Sequence, residues 1–253
     1  MTYLFFDIEC ANNFGGIGKM CSFGYVLCRE DFSVIESDDI LMNPDAPFDW
    51  YLFKSGSKCQ LAYRREDYTR QPSFAAHYER LCGLLSAPER LVVGFGCEND
   101  MATIATECVR YDRPLITFAC YDIRAALMAH YHQQGKLSDY VAQLGIDTTG
   151  LDFHDSRADA LFTMKVTEAL CTDSKQTLSE RLCAYTPITS AGALTDRRQK
   201  LYRRHLERKE AANVAATGTQ RRIPKRVTVP ADFDFRSELL CELQRQAAGN
   251  GGR

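Results

Sequence analysis

The chain has 253 residues, 45% apolar and 25% charged, with a formal net charge of −2. This is the profile of an ordinary soluble globular protein, long enough to bury a core. No apolar run approaches the roughly 18 residues of a membrane span, and the N-terminus has neither the basic start nor the apolar centre of a signal peptide, so export is not expected.

Residues 2–10, Thr-Tyr-Leu-Phe-Phe-Asp-Ile-Glu-Cys, form a short apolar run that ends in two carboxylates. Asp7 and Glu9 alternate with Ile8, so on a strand they point the same way, and they mark where the strand leaves the core. Adjacent like charges repel unless a cation lies between them, and a divalent metal is the usual one. Water alone could solvate such a strand end, and a lone Asp-x-Glu would carry no more weight than that.

Residues 12–19, Asn-Asn-Phe-Gly-Gly-Ile-Gly-Lys, form a loop by their glycines. Met20 follows Lys19 where a phosphate-cradling loop needs Ser or Thr, so a nucleoside triphosphatase is excluded. A flexible lip beside the carboxylates is the expectation. Residues 20–28 and 33–42 are strand-like and separated by a short polar turn, which makes a hairpin pairing antiparallel with the first strand. The mixed segment 43–73 reads as a long surface excursion with a short helix. Helical periodicity returns over Phe74–Leu85.

A buried strand at 90–95 leads into a helix over Glu98–Arg110, with Asp100 near its start. A second strand and helix follow, at 115–121 and up to about Tyr131, so a parallel pair joins the hairpin in a mixed α/β sheet. His130 and His132 read as surface residues. A short helix at 136–144 closes on Gly145.

The stretch 152–160, Asp-Phe-His-Asp-Ser-Arg-Ala-Asp-Ala, opens a helix reaching about Cys171. Asp152 and Asp155 read as an N-terminal capping pair. Asp159 lies a turn further in, beside Ala158, Ala160, Leu161 and Met164, where an unpaired carboxylate is costly. Helices are expected at 178–185 and 194–216, and 217–253 reads as a basic, partly disordered tail that ends in a short helix-like segment and a Gly-rich stretch. Residues 196–226 hold eleven Lys/Arg against three Asp/Glu, leaving 20 basic and 30 acidic residues elsewhere. That segment reads as an arm gripping phosphates, as a solvated helix, or as a docking site for an acidic protein partner.

Eleven cysteines at irregular spacings, with no Cys-x-x-Cys, do not form the pattern of a structural zinc site and read as small core residues in a reducing cytoplasm. Four carboxylates lack a local explanation: Asp7, Glu9, Asp100 and Asp159. Gathered at one edge of a mixed sheet, they suit two hard cations, Mg²⁺ or Mn²⁺, acting on a phosphodiester. His154, five residues before Asp159, is suited to take a proton from a water, since an ordinary imidazole has a pKa of about 6.5.

Phe6-Asp7-Ile8-Glu9, Val93-Gly94 with Asp100, and His154 through Asp159-Ala160 resemble the three motifs of the DEDDh group of 3′–5′ exonucleases, in the ribonuclease H-like superfamily. The resemblance covers residues 1 to about 172 as an exonuclease domain, followed by a helical extension over 173–216 and the tail. It implies a five-stranded mixed sheet flanked by helices, two metal ions, and release of nucleoside monophosphates from single-stranded DNA or RNA 3′ ends. It further implies that Asp7, Glu9, Asp100 and Asp159 ligate metal, that His154 is the general base, and that Cys10 lies where the terminal nucleotide is approached. Phe95-Gly96 and Asn99 stand where relatives carry an aromatic and a Gly-His-Asn run, so Phe95 offers the substrate a stacking surface. A ribonuclease H-type endonuclease fits the His154/Asp159 spacing poorly, and an idle nucleic-acid-binding or scaffold module would need a lost ligand.

Overall fold

Alternation along the first strand decides how the molecule is layered. In β1 (Thr2–Cys10), Leu4, Phe6 and Ile8 enter one apolar cluster, while Tyr3 and Phe5 enter another on the opposite face. A strand buried on both sides in this way must be central. The computed structural model describes residues 1–13, 17–218, 220 and 222–249. The flexibility expected at the tip of the lip, residues 14–16, and in the Gly-rich end, 250–253, lies outside the described residues.

β1 pairs antiparallel with β2 (Met20–Arg29), which pairs antiparallel with β3 (Val34–Leu41). On its other side β1 runs parallel to β4 (Arg90–Gly94), and β4 runs parallel to β5 (Ala119–Asp122). The expected five strands are joined by a sixth, β6 (Ile188–Thr189), antiparallel to β5, so the order is β3-β2-β1-β4-β5-β6. Two residues after Pro187 are too few to show a period of two, which is why the sequence conceals this strand.

Helices α2 (Phe74–Leu85) and α3 (Glu98–Arg110) cover the Leu4/Phe6 face, and Leu81, Leu84, Met101, Ile104 and Cys108 are buried there. The other face is covered by α4 (Ile123–Tyr131), α5 (Leu137–Gln143) and α6 (Ser156–Ser174), through Leu127, Tyr140, Phe162 and Val166. Asp7 and Glu9 continue the Tyr3/Phe5 series and so face α6.

The excursion at 43–73 contains a 3-10 turn (Trp50–Phe53) and α1 (Arg65–Thr69). It has a small core of its own, in which Leu52, Leu61 and Tyr68 pack on Ala11 and Cys21. After α7 (Leu178–Leu182) comes α8 (Ser190–Thr217), begun by Thr189, whose hydroxyl caps Gly192 N–H at 3.1 Å. The helix-like segment expected near the end of the chain is α9 (Phe235–Gly249). Its Phe235 and Leu239 recur four apart and are buried with Leu201 of α8 and Ile17 of the lip. Among the described residues no helix is long and apolar enough to cross a membrane.

Candidate active site

The end of β1 and the start of α6 meet because nothing but hydrogen separates them at Gly24. Asp7 is paired with Gly24 of β2, and Gly24 with Asp39 of β3, so the three lie in a row across the sheet. A Cβ at Gly24 would lie 2.0 Å from the backbone of Ser156 and Arg157, so the missing side chain is what admits the helix. Once there, α6 is pinned by side chains. Ser156 Oγ lies 2.7 Å from Ser22 Oγ and donates to Asp39 Oδ1 at 2.8 Å.

Asp155 caps α6, accepting from the N–H groups of Arg157 at 3.0 Å and Ala158 at 3.1 Å. Asp152 is exposed and takes no part in that cap. One turn on, Asp159 Oδ2 accepts the backbone N–H of His154 at 3.0 Å, which secures His154 at a left-handed φ of 69°. Asp159 Oδ1 is buried with no hydrogen-bond partner. His154 Nδ1 stands 3.8 Å from Glu9 Oε1, and one ligand atom each from Glu9, His154 and Asp159 lie within 4.8 Å of one another.

Asp7 and Glu9 are pushed up from the ordinary carboxylate range, first by burial and then by neighbouring charge. Asp100 leads the charges acting on Asp7, and Asp159 those acting on Glu9. Burial, then Asp122, pushes Asp100 up to about 7. Burial raises Asp159 to about 6 although the His154 N–H works against it, and burial likewise raises Asp39 to about 6. Among the described residues no Lys or Arg forms an ion pair with Asp7, Glu9, Asp100 or Asp159. Crowded carboxylates with an unpartnered buried oxygen and no internal counter-charge fit divalent cations. An oxygen-rich donor set with no thiolate suits Mg²⁺ or Mn²⁺.

The pH dependence of stability follows from these directions. An acid whose folded pKa is raised stabilises the fold below its unfolded pKa, near 3.8, and that contribution is lost as pH rises through 6 to 7. The metal-free protein should therefore lose on the order of 5 °C in Tm between pH 5 and pH 8. Saturating Mn²⁺ should restore it, with a gain of about 2.7 kcal/mol at a hundred times Kd. Differential scanning fluorimetry with EDTA or Mn²⁺ checks both, and a Tm indifferent to Mn²⁺ at pH 8 would contradict them.

The carboxylates open into a cleft of about 400 Å³ lined by Asp7, Glu9, Phe95, Lys136, Phe153, His154 and Asp159 among others. Phe95 leans edge-on against Tyr140, with ring centroids 6.0 Å apart. Asp100, in the first turn of α3, acts on this group through its charge and does not line the cleft. Cys10 is half-buried against the core, outside the cleft lining, and burial pushes its thiol up. Lys136 and Phe153 escaped the sequence reading because each sits beside a stronger local signal, a helix start and a motif histidine. Asp39 and Ser156 escaped because their pairing spans 117 positions.

Part of the basic extension is engaged internally. Arg208 of α8 pairs with Glu238 and Glu242 of α9, and His205 Nδ1 lies 2.9 Å from Glu238. The Arg208 guanidinium is therefore shared with acids of the same chain.

No family model matches the chain, and no curated protein does. Solved structures do. E. coli exonuclease I in complex with a dA16 oligonucleotide is 17% identical, with a TM-score of 0.54 over 71% of this chain and 42% of that one. The zinc-bound E. coli exonuclease I complex with single-stranded DNA gives 17% and 0.58, over 69% and 41%. A 3′-exonuclease studied for 3′-end-specific recognition of a histone mRNA stem-loop gives 15% and 0.56, over 70% and 84%. The match thus spans less than half the length of exonuclease I. The chain has the ribonuclease H-like fold of these exonuclease structures.

Proposed function

We propose that the protein is a metal-dependent 3′–5′ exonuclease that releases nucleoside monophosphates from single-stranded DNA or RNA 3′ ends. The observation carrying this reading is that Glu9, His154 and Asp159 converge within 4.8 Å at an open cleft that Asp7 lines as well. The neighbours of like fold act on or bind nucleic acid by their descriptions, and this chain keeps every acid its motifs call for.

Asp7, Glu9, Asp100 and Asp159 would hold two Mg²⁺ or Mn²⁺ ions, which when bound supply charge neutralisation at the phosphate and acidify a water. His154, on the exposed side of Glu9 and anchored by its backbone to Asp159, would take that water's proton. Phe95 and Phe153 would present apolar ring surface to the terminal nucleoside, with Lys136 at the rim for its phosphate. Cys10 would support the approach from behind. Residues 1–172 would form the exonuclease unit, with 173–253 an extension packed upon it. A reducing, cytoplasmic setting rests on the eleven free cysteines.

Single- and double-stranded DNA and RNA, labelled at either end and digested with Mn²⁺ or EDTA, test this. The expected products are mononucleotides from single strands, appearing first from the 3′ end and absent with EDTA. Internal cuts, or activity indifferent to chelation, would overturn the reading. His154→Ala should lower kcat by roughly 10²- to 10⁴-fold, the usual worth of a positioned base, with a much smaller change in KM. Equal losses in kcat and metal affinity would instead make His154 a ligand.

A further inference from the structure

The excursion after β3 carries a feature that the carboxylate site does not use. Residues 50–65, Trp-Tyr-Leu-Phe-Lys-Ser-Gly-Ser-Lys-Cys-Gln-Leu-Ala-Tyr-Arg-Arg, contain four cations and no acid, in a body that outside 196–226 has 20 basic and 30 acidic residues. Four aromatics interleave with those cations. Trp50, the single tryptophan of the chain, is 70% exposed and Tyr51 is 40% exposed. An exposed indole costs solvation unless it has a use, and basic residues interleaved with aromatics suit a charged, stackable polymer.

The segment is held firmly beside the carboxylates. Asp49 N–H donates to Ala11 O at 2.8 Å, immediately before Trp50, and Asn12 Nδ2 donates to Pro47 O. Ala11 lies two residues past Glu9, about 7 Å of extended chain. At the far end of the segment, Tyr63 is close enough to Asp39 and Asp155 that, after burial, their charges push its hydroxyl up to about 12. Between these anchors, Leu61 N–H donates to Leu52 O at 2.8 Å, and both side chains are buried.

The cations are placed at the rings. Lys54 Nζ lies 5.5 Å from the centroid of Trp50, and the Arg65 guanidinium 4.9 Å from that of Phe53. Phe53, Tyr63, Arg64 and Arg65 line an open groove of about 400 Å³. Among the described residues Lys54, Lys58 and Arg65 have no ion pair, whereas Arg64 pairs with Asp67 at 3.3 Å. This contrasts with α8, where Arg203 and Arg208 are already paired.

We infer that Trp50, Tyr51 and the Lys54–Arg65 band form a stacking platform for the single strand upstream of the 3′ end that enters the cleft. The inference deepens the exonuclease reading and rests on it for the direction of the strand. Each base has a ring face, so the platform holds any sequence, and the cations follow the phosphates. Uniform contacts of this kind retain the strand after each removal, so successive cleavages proceed without release.

The test uses the full chain in EDTA, where no digestion occurs. Titration with dT12 and with U12 is read by Trp50 emission and by anisotropy of a 5′-labelled strand. Binding should quench the emission, for one oligomer or both, and the tighter one distinguishes DNA from RNA. Trp50→Ala should weaken dodecamer binding about 10-fold, as expected for loss of one stacked base. Trp50→Tyr should recover most of that, and the effect should shrink with a dinucleotide. Lys54→Gln with Lys58→Gln should lower the slope of log K against log salt by about 1.4. Unmoved emission with both oligomers, or Trp50→Ala binding a dodecamer as wild type does, overturns the platform. With Mn²⁺, release of mononucleotides by a wild type whose emission is unmoved would sink the platform and leave the exonuclease. Quenching without release would sink the exonuclease and leave the platform.

Discussion

Asp7→Asn should abolish nucleotide release, with kcat/KM falling by at least roughly 10³-fold, about 4 kcal/mol of transition-state stabilisation, while the variant becomes harder to melt. The two effects share one cause. Asp7 is raised by burial and by four acids, Asp100, Glu9, Asp159 and Asp39. Above the ordinary carboxylate range, holding this acid among the others therefore opposes folding of the metal-free chain. Asparagine keeps the shape and removes the charge, so Tm in EDTA at pH 8 should rise by about 5 °C. The gain should shrink as pH falls towards the ordinary carboxylate range, and Mn²⁺ should stabilise the variant less than wild type. This is the exchange of stability for activity expected where function requires like charges to be held together. An active Asp7→Asn enzyme removes the proposed role, and an inactive one that melts earlier removes the electrostatic account.

Gly24→Ala should be the most damaging one-carbon change in the protein. The added Cβ would meet Ser156 C and Arg157 N at 2.0 Å, and both are backbone atoms that no rotamer change can move. α6 would have to retreat, breaking the contacts of Ser156 with Ser22 and Asp39 and carrying Asp159 away from Glu9. Overpacking of this kind costs roughly 3 kcal/mol or more, about 6–10 °C in Tm. A displacement near 1 Å costs catalysis about 10²-fold. Gly83→Ala is the control. Gly83 lies in α2 with nothing within 4 Å of a built Cβ, so alanine should stabilise by about 0.5–1 kcal/mol through helix propensity. Thermal melts and single-turnover rates of the two variants separate the cases. Comparable Tm values would show that α6 does not depend on the bare glycine.

These two positions differ in how far the sequence discloses them. Asp7 announces itself, because two acids alternating with Ile8 at the end of an apolar run have no place in a buried strand. Asp159 does so as a carboxylate on a face of small and apolar residues, and the alternation of β1 alone turns Asp7 and Glu9 to one side of the strand. Gly24 gives no sign. In Phe-Gly-Tyr-Val it reads as a weak point in a strand, and the backbone that requires it lies more than 130 residues on. Asp39 is hidden similarly, since Glu-Ser-Asp-Asp in an edge strand reads as solvent-facing and its partner is Ser156. The sixth strand is too short to show a period, and α9 shows in the sequence only as a short helix-like segment because few apolar residues, Phe235, Leu239 and Leu243 among them, mark its inner face. What local periodicity shows, the sequence reveals; what depends on distant backbones touching, it does not.

The small apolar knot of Ile17, Leu201, Phe235 and Leu239 has a mechanical consequence. It fastens the lip that follows β1 to α8 and α9, which pack on α3, outside the central sheet. The C-terminal helices can then come away as a separate cooperative unit, with a smaller opening free energy than the sheet. Amides of α9 and those near Ile17 should exchange with deuterium at one shared rate, well ahead of those in β1. The seat of Ile17 would thus rest on a fastening that can be undone while the barrier to global unfolding stands.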